Sequence, residues 1–363
     1  MKPTYYIWVI LLLLKSAVTS GQTCDSMSVC DCATKDLSPS GIMLGHEHGK
    51  GTWKFSYRYM NTISENNLSG TEKVTDNYVF NNYIMSPKNM RMDMHMVMAM
   101  YGITNKFSVM AMFNYNVMSM NMNMLPGTMT MHMDGGTMIM APSTSNTMQS
   151  RSSGLGDTKL YLVYTLLNHN EHHILLSEGF NIPTGSIHVN GRSDDMMYAE
   201  MRLPYMMQMG SGSFDFMPGI TYLLKANKTS FSTQVTSVIR PFNNSLNYHL
   251  GNELTLNAWV AHKWFPWIST SLRAEADFVG AISGFDPSLT TNTEPDANPL
   301  CYGGQYINTY IGLNFYCNKG WMKNNKLSVE YGIPVYQNVN GQIVNGTQLA
   351  VKSILTAGWM ITF

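Results

Sequence analysis

Methionine is the residue type whose number and spacing call for a chemical explanation. It occupies 32 of 363 positions, and nineteen of these fall between Met85 and Met148. Within that window the methionines alternate: every second residue from Met90 to Met100, then Met110 and Met112, then every second residue from Met118 to Met124, then Met129, Met131 and Met133. A thioether is a soft, neutral donor that selects Cu(I), and by the same softness Ag(I), over harder divalent ions. Sulfur at every second residue of an extended chain places several donors on one side. Met94, Met96, Met98, Met100, Met110 and Met112 are therefore read as metal ligands on two neighbouring strands. Met118, Met120, Met122, Met124, Met129, Met131 and Met133 are read as further ligands in a long outer loop, with His132 adding an imidazole. Methionine is also a flexible apolar filler. Filler gives no reason for the alternation with Ser and Asn in Met118-Ser-Met-Asn-Met-Asn-Met124.

A second donor group lies nearer the N-terminus. Cys30-Asp-Cys32 is a tight pair able to chelate a soft metal as thiolates, and His46 and His48 add imidazoles. The cysteines (24, 30, 32, 301 and 317) are odd in number, so one disulfide plus a spare thiol describes this arm equally well. Cys301 and Cys317 flank a candidate strand and are too far apart along it to bridge. His169, His172 and His173 cluster at a short turn, where solvated side chains are common. No enzyme constellation is present: there is no G-x-S-x-G, no H-E-x-x-H and no P-loop. Gly154-Leu-Gly156-Asp157 opens a strand, not a helix, so it is no dinucleotide fingerprint. The chain reads as a non-enzyme. Its formal charge is zero without any Lys/Arg cluster, which argues against a nucleic-acid partner.

The elements that would hold these side chains are strands. Period-two alternation recurs in twelve segments, near 51–60, 90–101, 106–116, 155–166, 173–183, 213–225, 229–240, 250–263, 267–280, 305–317, 325–334 and 349–363. In 268–278, Ile268, Thr270, Leu272, Ala274, Ala276 and Phe278 oppose Ser269, Ser271, Arg273, Glu275 and Asp277. An uncharged face against a charged one suits a wall between lipid and a wet lumen. Glu178 makes 173–183 the least regular segment. Short links, such as 102–105 and 226–228, alternate with long ones at 61–89, 117–154, 184–212, 281–304 and 335–348. Short inner turns, long outer loops and an even strand number together give an all-β, antiparallel transmembrane β-barrel of about twelve strands with a short N-terminal periplasmic arm. A secreted β-sandwich shares the alternation, but would bury its apolar face against a second sheet.

The first 21 residues read as a signal peptide: Lys2, an apolar run from Tyr6 to Leu14, then small residues around Ala17–Gly21. Residues 22–50 form the periplasmic Cys/His-containing arm, and 51–363 the barrel with its methionine-rich strands and loop over 85–150. The expected location is the outer membrane of a Gram-negative bacterium, with outer-membrane lipid around the wall.

Several motifs carry a resemblance. Ser152-Ser-Gly-Leu-Gly-Asp157-Thr-Lys-Leu, Asn181-Ile-Pro-Thr-Gly185-Ser, Leu203-Pro-Tyr, Gln208-Met-Gly-Ser-Gly-Ser-Phe-Asp215, Glu330-Tyr-Gly-Ile-Pro-Val-Tyr-Gln337 and Gly358-Trp-Met-Ile-Thr-Phe363 resemble outer-membrane barrels of the phenol-degradation meta-pathway family, relatives of FadL-type transporters of hydrophobic compounds. Gly45-His-Glu-His48 with Trp53-Lys-Phe-Ser-Tyr-Arg-Tyr-Met60 is similar to a Met/His-rich, copper-associated branch. The resemblance implies a barrel and passive transport, and supplies no catalytic residue. Three functional readings follow. The first is a channel binding or passing copper, taken up as Cu(I), or another soft ion. The second is a channel for small hydrophobic or aromatic solutes, and the third a surface binding protein without transport.

Overall fold

In a computed structural model of the chain, the described residues are 36–45, 49–127, 129–134, 137–142, 147–191, 201–317, 319–339 and 346–363. For 129–134, 137–142 and 321 the description is of the backbone. The proposed signal peptide and Cys30 and Cys32 lie outside these residues, as do His46 and His48.

The strands are β1 (Trp53–Ser69), β2 (Glu72–Val74), β3 (Met85–Gly102), β4 (Phe107–Met124), β5 (Met129–Asp134), β6 (Thr137–Pro142), β7 (Thr147–Leu155) and β8 (Thr158–His169). They continue as β9 (His172–Ile182), β10 (Asp215–Ala226), β11 (Thr229–Val238), β12 (Glu253–Phe265), β13 (Ile268–Val279), β14 (Gly304–Cys317), β15 (Asn325–Val339) and β16 (Gln348–Thr362). One turn of helix, α1 (Asp76–Val79), lies between β2 and β3. Neighbouring strands pair antiparallel from β16 down to β8, then β4, β3 and β1, and β1 pairs back onto β16. β7 and β8 share one position: β7 runs beside Tyr115–Asn123 of β4 and β8 beside Phe107–Met112. The result is a closed barrel of twelve staves. At the seam the backbones of Trp53 and Phe363 exchange hydrogen bonds, 2.8 and 3.2 Å.

The strands alternate as the residues demand. Apolar side chains point out: Ile311 is 65% exposed and Leu272 59%, with Leu256, Phe231, Leu162 and Val329 on the same outer face. So continuous an apolar exterior is intolerable in water and natural against acyl chains. At the end with the short turns, Trp53 packs on Tyr101 (4.7 Å between rings) and Trp267 on Phe315 (6.5 Å), part of an aromatic girdle. Glu178 also faces out, opposite Leu162 and Pro218, which accounts for the irregularity of that segment.

All twelve expected segments are strands, but four run further than expected, among them β15, which continues to Val339. β1 continues to Ser69, β3 begins at Met85, and β4 continues to Met124. Met118–Met124 is therefore strand and not loop. The physical reason is a change of solvent. Above the apolar band the outer face of β3, β4 and β7 turns polar. There Asn121 donates to Asn89 (2.8 Å), Gln149 to Asn121 (3.0 Å) and Asn123 to Asp76 (2.6 Å). Polar residues facing out and methionines facing in imitate a loop composition. Within the expected loop, β5 and β6 pair as a separate hairpin, with Met131 opposite Met140.

Candidate metal path in the barrel lumen

The methionines of β3 and β4 meet across the strand pair: Met100 opposite Met110, Met98 opposite Met112, Met92 opposite Met118, Met90 opposite Met120 and Met85 opposite Met124. β1 adds Met60 opposite Met94, and β7 adds Met148 opposite Met122. Directly opposed residues hold their β-carbons about 4.5–5.5 Å apart. The inner wall thus carries a ladder of thioether pairs, broken where Met94 and Met96 face Asn116 and Asn114 and where Met122 faces Pro87.

The first break divides the sulfurs into two clusters. The lower one gathers Met96, Met98, Met100, Met110, Met112 and Met217 with Ile42, Leu44, Tyr161 and Leu175, and Met43, Met60 and Met94 pack at its edge. The upper one gathers Met85, Met90, Met118, Met120, Met122, Met124, Met207 and Met209, edged by Met92 and Met148. Every expected ligand from Met94 to Met124 thus lies in one of two groups, not in one strand set and one loop set. The side chains of Met129, Met131, His132 and Met133 lie outside the description. Met43, Met207, Met209 and Met217 are additions, brought in by the arm, a loop and β10. Their sequence signal is faint, because Met207 and Met209 form too short an alternation to weigh. His169 and His172 are exposed at their turn, and His173 points inward and is buried.

Two non-barrel segments close the ladder from either end. The first is the arm, whose described part, 36–45, sits inside the barrel. Asp36 lies between Lys326 (3.3 Å) and Lys54 (3.9 Å). Lys326 also donates to the Ser38 carbonyl (2.8 Å), Arg58 to the Ile42 carbonyl (3.1 Å) and Thr221 to the Leu44 carbonyl (3.3 Å). The Gly41 N–H donates to Glu330 (2.5 Å). A β-carbon at Gly41 would run into Arg273 and Glu330, so only glycine fits this approach. The arm has two faces: Ile42, Met43 and Leu44 meet the lower sulfurs, while Asp36, Ser38, Ser40 and Gly41 meet charged and hydroxyl groups. A cavity of about 40 Å³ remains between arm and wall, lined by Met43, Met98, Met100 and Met110, by Lys54, Arg58 and Lys326, and by Asp36. That is room for a water-sized occupant. Three cationic side chains against one carboxylate make it a poor place for a cation.

The second closing segment is the described part of the loop between β9 and β10, residues 184–191 and 201–214, pinned inward by Asp157. That carboxylate accepts from the Gly185 N–H (2.9 Å), the Ser211 N–H (2.8 Å), the Ser211 hydroxyl (2.8 Å) and the Asn181 amide (2.9 Å). Gln208 clamps the same loop through the Leu203 carbonyl (2.7 Å) and the Val189 N–H (2.9 Å). The motifs around Asp157, Asn181–Gly185 and Gln208–Asp215 thus converge on one clamp. It sets Met207 and Met209 against the upper cluster.

The opposite wall is built from the same inward parity and unlike chemistry. Arg273 pairs with Glu330 (2.8 Å) and Glu275 (2.5 Å), donates to Asn257 (2.7 Å), and stacks 3.6 Å over the Tyr310 ring.

No family model matches the chain, and no curated protein matches it. Among solved structures it is similar to an outer-membrane channel from Pseudomonas putida F1, at a TM-score of 0.54 and 11% identity, over 87% of this chain and 97% of that one. It is also similar to a Pseudomonas aeruginosa FadL homologue, at a TM-score of 0.40 and 10% identity, over 95% of this chain and 99% of that one. The first likeness is one of fold, the closed antiparallel barrel.

Proposed function

We propose that the protein is an outer-membrane channel of a Gram-negative bacterium whose cargo is a soft monovalent metal ion, Cu(I) or its congener Ag(I), held by lumen thioethers. The observation that carries this reading is the inward ladder of paired methionines on β3 and β4. Paired, neutral, polarizable sulfurs are poor ligands for hard ions and good ones for Cu(I). The upper cluster is the stronger of the two sites, because the lower one abuts Lys54, Arg58 and Lys326 across the arm cavity. The likeness to a channel supports passage across the wall, and the seated arm describes a closed state.

The same sulfurs pack with Ile42, Leu44 and Leu175, which suits a second reading, a lumen for small hydrophobic solutes. Titration of the detergent-solubilised protein with Ag(I), and with Cu(I) under reducing conditions, separates the two. The first reading requires saturable binding that weakens about tenfold or more when Met118, Met120 and Met122 become Leu, tenfold being about 1.4 kcal/mol. Unchanged binding in that variant, or none in the parent, removes the metal and leaves the apolar solute.

A further inference from the structure

The outer mouth holds buried oxygens that have no hydrogen-bond partner among the described residues. Between β13 and β14 the chain makes two short 3-10 turns, Pro295–Ala297 and Pro299–Cys301. They pack beside the segment that follows α1: the Met85 N–H donates to the Thr293 carbonyl (2.9 Å), and Tyr83 meets Cys301 Sγ (3.4 Å). Thr347, just before β16, hydrogen-bonds the same sulfur through its backbone. Within this knot Glu294 is 7% exposed, Asp296 5% and Thr347 fully buried. Glu294 Oε2, both carboxylate oxygens of Asp296 and the Thr347 hydroxyl have no hydrogen-bond partner among the described residues.

We propose that Glu294, Asp296 and Thr347 belong to a binding site for one calcium ion, which fastens the 280–303 loop to the start of β16. Four orphaned buried oxygens from two segments far apart in sequence are a demand for an outside donor of positive charge. Protonation alone does not meet it. Protonating one carboxyl would still leave the other buried oxygens, the Thr347 hydroxyl among them, without a partner among the described residues. A cation would supply the missing positive charge, and Asp296 and the Thr347 backbone both lie beside Cys301. Oxygen donors of mixed type, with no imidazole or thiolate among them, select a hard ion, and an irregular set suits calcium better than magnesium. Burial pushes the Glu294 carboxyl up to about 8, aided by the charge of Asp296, and the Asp296 carboxyl up to about 7, as befits anions left without a counter-charge. The site is chemically the opposite of the methionine ladder, and it stands or falls independently of the soft-metal reading.

The test is calorimetric titration of the full-length protein, freed of metal with EGTA, with calcium chloride alone. The expected result is one ion bound with a dissociation constant of about 10⁻⁴–10⁻³ M, the range of extracellular calcium modules. Limited proteolysis within 281–303 should slow in parallel. Glu294→Gln with Asp296→Asn should abolish both effects, and Thr347→Val, which keeps the shape, should weaken binding several-fold. Absence of calcium binding in the parent protein overturns the proposal, whatever the variants do. So does binding that survives the double substitution.

Discussion

The two halves of the lumen wall obey one geometric rule and end in opposite chemistry. On β3 and β4 the inward positions are methionines that bury one another. On β13 to β15 they are Arg273, Glu275, Asn308, Asn314 and Glu330, nearly all buried as deeply. Both walls are dry, but dry for different reasons. The methionine wall gains from removing apolar surface and tolerates small changes of shape. The charged wall holds desolvated ions that are stable only while every partner stays in place. The arm is shaped by this contrast, with its apolar residues against sulfur and its polar ones against charge. A barrel lined by one chemistry could not orient such a segment.

The contrast can be tested by breaking it, and the largest effect should come from the charged wall. Glu330→Ala leaves the Arg273 guanidinium buried with one partner lost and frees the Gly41 N–H. Removing one member of a buried pair costs about 3–5 kcal/mol, measured by urea unfolding in lipid vesicles. A cost below about 1 kcal/mol would show that water reaches Arg273 and that this wall is wet. Next in size, Gly41→Val forces the arm away from Arg273 and Glu330, at about 1–3 kcal/mol for the overpacked contact. Conductance in planar bilayers should rise as the arm leaves, whereas an unchanged current would mean that the arm does not obstruct the lumen. Third, Met98→Leu and Met110→Leu conserve volume and should cost less than about 1.5 kcal/mol each. A larger loss would mean that the sulfur itself supports the fold.

The smallest effect is the pH response of the outer mouth in the absence of calcium. The folded-state values of Glu294 and Asp296 lie above the ordinary 4.5 and 3.8, at about 8 and 7. Folding therefore favours their protonated forms. The contribution to loop docking is complete below about pH 4 and is lost as the pH rises through 7 and 8. Proteolysis within 281–303 should accelerate over that window in EGTA, and Glu294→Gln should flatten the profile. Acceleration on acidification instead would reverse the sign and show the carboxylates to be paired.

The barrel was legible because its evidence is repeated twelve times. Alternation such as Ile307–Phe315 or Ile268–Phe278 reports directly on which side of a wall a residue stands. What escaped was where strands continue beyond lipid. In Met118–Met124 the outward residues are Ser and Asn, and polarity on the exposed face is read as loop unless the pairing of Asn121 with Asn89 and Gln149 is known. The inward facing of Met94 to Met112 could be reasoned from Val97, Ala99, Phe107 and Phe113. Their division into two clusters could not, since it depends on Asn114 and Asn116 interrupting the ladder and on Met207 and Met209 arriving from a loop. The calcium oxygens carry no sequence signal at all. Glu294 and Asp296 look like ordinary loop acids until the fold buries them.

The reciprocal hydrogen bonds between Trp53 and Phe363 have a consequence for how such a molecule is made. The first and last staves are partners, separated by nearly the whole length of the polypeptide, so the cylinder cannot shut until its final segment is present. Contacts this remote are slow to form, and until they do the growing sheet offers two bare edges and a greasy outside to anything nearby. Assembly is thereby all or nothing. A copy cut short before Gln348 would lack the stave that closes the ring, and would behave as an adhesive ribbon.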